Sequence, residues 1–379
     1  MKHIITCVIA ILGFAMAHAQ MLNQAKVLND STFRTDATYQ QGNKYVKDAL
    51  LFMEMLADTH PFYVKKSRQA QLWEKKDALL KKCADCTSDS VFVTYLYDVL
   101  GPLHDKHTDL IDTTTLALKQ AQKQQKQAEA ATTATGVMAK GKELFAYRIF
   151  EEPSICYLQF NQCADARTMR NPNLPRFDEM LNRMFHDMDS LKVATLVVDA
   201  QYNNGGSSML CDELLVRLYP LDQLKTLSTS IRFSKLMAEY NPRIGVAKTS
   251  WENDGHAEDL YAIPSQKPSI PNPPIFGGKV VFVQSATTYS SAGILMTLAR
   301  DNKVGEIIGE TSTFAPSHYG EILPYRLPHT GVVGTISCKY FSRPDVAHID
   351  DATLEPDVKL DLSDKEATWQ YILTHYGKK

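Results

Sequence analysis

Three separate segments of the sequence carry residue types that can support hydrolytic chemistry. The first, Leu103–Asp109, holds two histidines and two aspartates. The second, Leu196–Ser207, is an apolar run that ends at an aspartate and continues into two glycines. The third, Val280–Leu295, is an apolar run followed by a hydroxyl-rich turn and a helical stripe. A histidine base, glycine amides and a serine hydroxyl are one set of groups that can together carry out nucleophilic hydrolysis of an acyl group.

Ser290 follows the third apolar run and is predicted at the first position of a helix. The positive end of the helix dipole acts on a hydroxyl there, and the N–H of Ser291 is available to stabilise negative charge. Gly205 and Gly206 let main-chain N–H groups point into a crevice, as an oxyanion-binding loop requires. Each segment also has a plainer interpretation, because serine is a common N-cap and paired glycines are common in tight turns.

The histidine-containing segment Leu103–Asp109 admits two other interpretations. Two histidines and two aspartates can bind a metal, but their spacing matches neither a metalloprotease helix nor the other common zinc signatures. A solvated polar loop is the second alternative. We therefore predict neither a metal nor an organic cofactor.

Positioning these segments requires two kinds of secondary structure. From Tyr45 to Leu100 the apolar residues form three stripes at helical spacing, which predicts three short helices. Beyond Gly141, apolar runs typical of buried strands alternate with helical stripes, which predicts βαβ units around a largely parallel sheet. The predicted strands are Ile155–Phe160, Thr195–Val198, Val280–Val283, Ile307–Ile308 and Thr335–Phe341, and the helices between them are Phe177–Met188, Met209–Leu218 and Ala292–Ala299.

The N-terminal residues have the composition of a signal peptide. A cationic start and an apolar stretch too short to span a bilayer precede Ala17–Ala19, which fits a cleavage site before Gln20. We therefore expect residues 1–19 to be a signal peptide and the protein to be exported, to a periplasm or to the extracellular space. The predicted domains are a helical domain at 20–115, a low-complexity linker at 116–140 and an α/β core at 141–379.

The charge balance argues against several classes of partner. The 379-residue chain has 41 Lys and Arg against 43 Asp and Glu, a net charge of −2, with 9% aromatic residues. This balance argues against a nucleic-acid-binding stripe and against a membrane-surface patch. No stretch after the signal peptide approaches the length of an apolar membrane span. We expect no nucleic-acid partner and no membrane span in the mature chain, and the sequence indicates no particular oligomeric state.

Six cysteines remain after the predicted signal peptide. They are Cys83, Cys86, Cys156, Cys163, Cys211 and Cys338. Cys83 and Cys86 have the spacing of a zinc or redox motif, but no second ligand pair exists and helices rather than a strand surround them. Structural thiols, free or locally bridged, are the favoured interpretation, with a disulfide elsewhere as the alternative.

Six segments of the chain, in order, match motifs of one enzyme family. They are Asp58–Tyr63, Asp105–Thr108, Asp199–Gly206, Thr288–Gly293, Ile308–Thr311 and Leu354–Val358. Together they resemble the tail-specific (C-terminal processing) serine peptidase family, in particular its branch with the tricorn protease core and the retinoid-binding repeats of photoreceptor matrix. The resemblance runs from about Tyr45 to about Leu362, with no typical PDZ insertion evident. Gln201, Asn204 and Gly293 depart from the family's Arg, Pro and Glu.

The resemblance implies an α/β core of the crotonase/ClpP-like fold, built of ββα units and preceded by a small helical bundle. It implies that Ser290 is the nucleophile of a serine peptidase. It further implies that the amides of Ser291 and of Gly205 or Gly206 form the oxyanion hole.

The catalytic base in this family is either a lysine or a histidine. The segment that would carry the lysine, Gly309–Pro316, contains none. Lys303 is a poor substitute, because the intervening residues in helical form would place it roughly 20 Å from Ser290. His107, which matches the histidine of the tricorn-like branch, is therefore the predicted base, with His104 in reserve.

The group that orients His107 is predicted from its position in the family pattern. Asp350 stands where the tricorn-like branch has a glutamate, and Asp351 and Glu355 are its competitors. The resulting expectation is an exported serine peptidase acting on peptides or unfolded proteins. The alternative is a non-catalytic protein that uses the same fold to bind peptides or apolar ligands.

Overall fold

The computed structural model describes residues 23–111, 136–264 and 273–377. The predicted signal peptide and the predicted linker before Gly136 lie outside these ranges. The chain divides into two compact units, each built from three separate stretches. The first unit comprises residues 1–125, 229–264 and 319–341, and the second comprises residues 126–228, 265–318 and 342–379.

The described residues form α-helices and β-strands, with short 3-10 helices between some of them. The α-helices are α1 Ala37–Gln41, α2 Lys44–Thr59, α3 Lys66–Trp73, α4 Lys76–Ala84, α5 Asp89–Leu100, α6 Phe177–Ser190, α7 Ser208–Leu215, α8 Lys235–Tyr240, α9 Arg243–Asn253, α10 Ser291–Asp301 and α11 Lys365–Tyr376. The strands are β1 Lys26–Val27, β2 Asp109–Ile111, β3 Phe145–Phe150, β4 Ile155–Phe160, β5 Thr195–Asp199, β6 Ser228–Ile231, β7 Tyr261–Ile263, β8 Lys279–Gln284, β9 Glu306–Gly309, β10 His318–Arg326, β11 Val333–Ser342 and β12 Val358–Lys359. Short 3-10 helices lie at Ser31–Phe33, Pro61–Tyr63, Gly101–Leu103 and Val346–His348.

Helix α2 is the central helix of the first unit. It begins at Asn43, whose side chain accepts hydrogen bonds from the N–H groups of Tyr45 and Val46, both at 3.0 Å. It ends at His60, because the ring of Pro61 cannot continue an α-helix and instead starts a 3-10 turn. This ending places the His60 side chain inside the first unit with no exposed surface.

The sheet of the first unit has the strand order β1-β10-β11-β6-β7, and β2 also pairs with β11. The β2–β11 pairing is antiparallel and sets Asp109 opposite Thr335. Since β2 starts at Asp109 and runs antiparallel to β11, this register brings the preceding residues 105–108 alongside the middle of β11. One apolar core of residues from α2, α5, α8 and β10 stabilises the unit.

The second unit contains a sheet with the strand order β12-β9-β8-β5-β4-β3. All neighbours are parallel except β3, which pairs antiparallel to β4. Side chains of β5 and β8 alternate between two apolar cores: Leu196 and Phe282 pack with α6, α7 and α10, whereas Val197 and Val281 pack with α11. The sheet is therefore covered by helices on both faces, as the apolar character of its central strands predicts.

This arrangement confirms the α/β fold class and the predicted strands of its core. Two expectations differ from the structure. The region of three predicted helices, Tyr45–Leu100, contains four α-helices, because the second stripe is divided between α3 and α4. The strand predicted at Thr335–Phe341 lies in the first unit, so the predicted boundary at residue 141 does not separate the two units. Its pairing with residues more than 200 positions earlier leaves no local signal in the sequence.

Within the described residues, we find no helix with the length and apolar character that crossing a membrane would require.

Candidate active site

Ser290 lies in the turn that joins β8 to α10 and has a strained backbone. Its φ of 53° and ψ of −126° are rarely adopted by residues other than glycine. Although it occupies the N-cap position, its half-buried side chain accepts no capping hydrogen bond from the helix. Ser290 is therefore not a conventional N-cap, and its strain is the kind of feature that concentrates at functional sites.

The loop between β5 and α7 packs directly against the Ser290 turn. Because β5 and β8 are adjacent and parallel, with Asp199 opposite Val283, their carboxyl ends lie at one edge of the sheet. Gly205 has a φ of 99°, and a β-carbon there would lie 2.6 Å from Ser290 Cβ and 3.0 Å from Ser291 N. Only glycine permits this approach, since such contacts are shorter than van der Waals separation.

The amide groups around Ser290 differ in what they bind. The N–H of Gly205 donates to Asn203 Oδ1 at 2.9 Å, so it is already occupied. The N–H groups of Gly206 and Ser291 have no acceptor in the part of the chain that the structure describes. The Ser291 hydroxyl donates to the Gly206 carbonyl at 2.7 Å and ties the two residues together. Gly206 and Ser291 are thus the pair whose donors can hold an oxyanion.

Asn203 holds the glycine loop in this position from two sides. Its side-chain amide donates to the Phe160 carbonyl at the end of β4, at 3.0 Å. The backbone carbonyl of Asn203 accepts a 3.1 Å hydrogen bond from the N–H of Tyr289, next to the candidate nucleophile. Asn203 is one of the positions that match the family motif, and this network explains why an amide side chain is needed there.

Gly293, where the family usually has glutamate, faces an aromatic ring. A β-carbon at Gly293 would meet Phe314 Cδ1 at 2.2 Å and Phe314 Cγ at 2.6 Å. Phe314 is 2% exposed, and its ring also packs against Tyr289 with centroids 5.1 Å apart. Phe314 belongs to the segment that carries a lysine in other members of the family. The departures from the family pattern at Gly293 and at Phe314 are therefore linked, because the Phe314 ring occupies the space beside Gly293.

Gln201, where the family has arginine, belongs to a buried polar cluster. Its side chain donates to Asp199 Oδ2 at 2.7 Å and accepts a hydrogen bond from Lys365 Nζ. Tyr157 also donates to Asp199, whose pKa is raised by burial. Lys365 on α11 therefore supplies the positive charge near Asp199 that an arginine at residue 201 would otherwise bring.

The predicted base His107 lies in the first unit, beside Asp105. The Asp105 side chain is 2% exposed and that of His107 is 15% exposed. Asp105 Oδ1 accepts from the His107 backbone N–H at 2.9 Å and lies 3.4 Å from Nδ1 of the ring. The His107 carbonyl accepts from the Thr335 hydroxyl at 2.8 Å, so the backbone of this residue is held on both sides.

Asp105 is the centre of a buried hydrogen-bond network in the first unit. Its Oδ2 accepts from the hydroxyls of Thr108 and Ser337, both at 2.7 Å, and lies 3.1 Å from Nε2 of His60. Burial alone would raise the pKa of Asp105, but the hydrogen bonds with His107 and His60 outweigh it and hold the pKa well below its usual value. Asp105 is therefore an ionised acceptor at neutral pH.

His60 is a neutral donor in this network. Its Nδ1 accepts from the Phe62 N–H at 3.1 Å, so the ring proton is on Nε2 and is directed at Asp105. Burial lowers the pKa of His60, and the hydrogen bond with Asp105 only partly opposes this effect. His60 belongs to the motif Asp58–Tyr63, but the motif did not indicate that His60 donates to Asp105. Ser337 is one of several polar residues in β11, so its residue type alone gave no signal for this role.

The remaining predicted residues, which are Asp350, its two competitors and His104, are not part of the hydrogen-bond network around Asp105. Asp350 lies on an exposed turn and forms no hydrogen bond or ion pair with any described residue. Its competitors are paired within the second unit, Asp351 with Arg343 at 3.2 Å and Glu355 with Lys359 at 2.8 Å. His104 is exposed, with a φ of 48°.

The candidate active site therefore consists of a strained serine and the glycine loop packed beside it. The sequence model of Peptidase family S41 matches residues 154–360, more than half of the chain. The chain therefore belongs to peptidase family S41. No curated protein matches the sequence.

Solved structures of similar fold cover nearly the whole chain. Mature CPAF complexed with lactacystin matches with a TM-score of 0.60 and 12% identity, over 87% of this chain and 97% of that one. A candidate peptidase from Parabacteroides merdae ATCC 43184 matches with a TM-score of 0.54 and 14% identity, over 86% of this chain and 93% of that one. Identities this low establish a shared fold and nothing finer.

The buried, neutral His60 makes the stability of the protein depend on pH. Below about pH 6.5 the unfolded chain takes up a proton at residue 60 that the folded protein excludes, because the folded pKa is lowered. We expect the unfolding free energy of the wild type to fall with decreasing pH more steeply than that of His60→Gln, by up to about 1.4 kcal/mol per pH unit. Urea unfolding between pH 7.5 and 5.5 measures this difference.

His104→Gln is the matched control for that measurement, because His104 is exposed. The unfolding free energy of His104→Gln should change with pH as steeply as that of the wild type. Equal slopes for the wild type and His60→Gln would mean that His60 is not held neutral.

The packing of Gly293 against Phe314 predicts a coupled pair of substitutions. Gly293→Ala should destabilise the protein by about 1–3 kcal/mol, because the new methyl group overlaps the Phe314 ring. Adding Phe314→Ala removes the ring, so the double variant should lose less stability than the sum of the single variants. Urea unfolding of the four proteins gives the coupling free energy.

Gly245→Ala in α9 is the control, because a β-carbon there meets only Ala238 Cβ at 3.5 Å. That substitution should leave stability unchanged or raise it by about 1 kcal/mol. Additive effects of the Gly293 and Phe314 changes would contradict the proposed packing.

Proposed function

We propose that this member of peptidase family S41 is a serine peptidase that hydrolyses peptide bonds through an acyl-enzyme on Ser290. One observation carries the proposal: a strained serine outside the usual capping geometry lies beside a glycine loop packed so closely that a β-carbon at residue 205 would be 2.6 Å from Ser290 Cβ. Family membership supports the peptide bond as the bond that is cleaved. A non-catalytic binding protein with the same fold would have no functional need for the strained backbone at Ser290.

In the first half of the proposed reaction, Ser290 Oγ attacks the carbonyl carbon of the scissile peptide bond. His107 takes the hydroxyl proton as general base, the role that the family resemblance implies. The carbonyl oxygen becomes an oxyanion and accepts hydrogen bonds from Gly206 N–H and Ser291 N–H. Gly205 contributes by allowing the close approach of the loop rather than by donating its own N–H.

In the second half, His107 returns the proton to the nitrogen of the leaving amine as the C–N bond breaks. Water then attacks the acyl-enzyme, with His107 taking a proton from the water. As the second tetrahedral intermediate collapses, His107 gives this proton to Ser290 Oγ, which restores the hydroxyl and releases the carboxylic acid. The protons balance without any further group, and the proposed substrates are peptides or unfolded proteins.

We further propose that Asp105 orients the His107 ring. Support for this assignment comes from the 3.4 Å separation between Asp105 Oδ1 and His107 Nδ1 and from the charge of the buried carboxylate. Asp350 remains the alternative that the family pattern implies. Export through a signal peptide at residues 1–19 is a separate proposal, which rests on composition and on which the reaction does not depend.

Replacing the nucleophile should remove activity without unfolding the protein. We expect Ser290→Ala to lower peptide hydrolysis by at least about 10³-fold, because no other group can form the acyl-enzyme. Its melting temperature should stay within a few degrees of the wild type. Initial rates on a denatured protein substrate and a thermal scan test both statements.

Labelling with a fluorophosphonate probe separates the peptidase from the binding protein. The wild type should be labelled and Ser290→Ala should not. Ser88→Ala should be labelled like the wild type, because Ser88 is another N-cap serine without a side-chain capping bond. A wild-type protein that is neither labelled nor active would support the non-catalytic alternative.

The two candidates for the orienting carboxylate are distinguished by one pair of variants. Asp105→Asn should lower kcat by about 10²-fold or more with little change in KM, because an amide does not stabilise the imidazolium as a carboxylate does. Asp350→Asn should change kcat by less than about twofold. Steady-state kinetics of both folded variants measures this; the reverse ranking would assign the role to Asp350.

A further inference from the structure

Two buried cysteine thiols meet in the second unit. Cys163 follows β4 and Cys211 lies on α7, and their Sγ atoms are 3.5 Å apart. Their exposed fractions are 0% and 1%. Among the described residues they form the only pair of cysteines whose sulfur atoms lie within hydrogen-bonding distance of each other.

Cys163 contacts the loop that carries Gly205 and Gly206, and Cys211 contacts the first residue of α10. The N–H of Cys163 donates to the Gly205 carbonyl at 3.1 Å, and its carbonyl accepts from Ser207 N–H at 2.7 Å. Cys211 Sγ donates to the Ser291 carbonyl at 3.2 Å. The backbones that flank the two thiols are therefore held in place by hydrogen bonds before any covalent bond forms.

We propose that Cys163 and Cys211 are a disulfide-forming pair, which cross-links the segment after β4 to α7 when the chain folds in the presence of a disulfide oxidant. A disulfide has a sulfur–sulfur bond of about 2.05 Å. Closing the gap from 3.5 Å requires the sulfur atoms to approach by about 1.5 Å, which is within the reach of side-chain rotation and small backbone adjustment. The proposal does not depend on peptidase activity.

The proposed reaction is thiol–disulfide exchange with an external disulfide such as oxidised glutathione. The thiolate of one cysteine attacks a sulfur of the oxidant, forms a mixed disulfide and releases one reduced thiol. The thiolate of the second cysteine attacks the first cysteine's sulfur and releases the second reduced thiol. Two electrons pass to the oxidant, and its two departing thiolates take up the two protons lost by the cysteines.

The exchange belongs to the folding chain rather than to the folded protein. Both thiols are inaccessible to an oxidant after folding. The hydrogen bond with Cys163 and burial both raise the pKa of Cys211 far above its ordinary value, which suppresses the attacking thiolate. A protein folded in reductant should therefore keep both thiols when the oxidant is added later.

The test is to refold the urea-denatured, reduced protein with either oxidised and reduced glutathione or dithiothreitol. Free thiols are then alkylated in urea, and a non-reducing proteolytic digest is analysed by mass spectrometry. In the glutathione sample we expect a linked peptide pair containing Cys163 and Cys211, with Cys156 and Cys338 alkylated. The oxidised protein should melt several degrees higher than the reduced one, and the difference should disappear after unfolding and refolding in dithiothreitol.

Two variants complete the design. Cys211→Ala should lose the effect of oxidant on the melting temperature, whereas Cys156→Ala, another buried cysteine of the same unit, should keep it. The peptide map of the wild type decides the proposal even if a variant folds poorly. Full alkylation of Cys163 and Cys211 after oxidative refolding, or linkage of either one to a different cysteine, would overturn it.

Discussion

The close packing of Gly205 against the Ser290 turn is the constraint on which the candidate site depends. A side chain at residue 205 would overlap Ser290 Cβ, and one at residue 206 would lie 2.2 Å from the Cys163 carbonyl oxygen. The two glycines thus let three chain segments meet at the carboxyl edge of the parallel sheet. This packing, rather than any single hydrogen bond, brings the loop that carries the Gly206 N–H against the turn that carries Ser290 and the Ser291 N–H.

A second constraint is the buried charge of Asp105 in the first unit. A carboxylate that is nearly inaccessible to water is costly unless donors surround it. The donors here come from His60, Thr108 and Ser337 and from the backbone of His107. One hydrogen-bond network therefore both stabilises the Asp105 charge and positions the predicted base, His107. The structure thereby offers His107 a carboxylate neighbour that lies only two positions away in sequence.

The departures from the family pattern illustrate what local sequence analysis can and cannot predict. Taken singly, Gly293 and Phe314 look like losses of a glutamate and of a lysine-bearing turn, and Gln201 looks like the loss of an arginine. In the structure Phe314 fills the space over Gly293, and Lys365 reaches Gln201 from a helix 164 residues away in sequence. Compensation between distant positions depends on which side chains become neighbours, and spacing along the chain does not contain that information.

The sequence by itself determined the strands of the parallel core, the helices between them, and the serine, glycine and histidine motifs, because these features arise from residue types and periodicities within a few turns of chain. Only the tertiary structure decided that β11 pairs with β2, that Asp105 contacts His107, and that the Gly206 amide rather than the Gly205 amide lacks an acceptor. Each of these outcomes depends on the register and packing of segments that are far apart in the chain or on a turn geometry set by its neighbours. Long-range contacts of this kind are established by burial of apolar surface and satisfaction of buried polar groups, which act between distant segments only as folding brings them together.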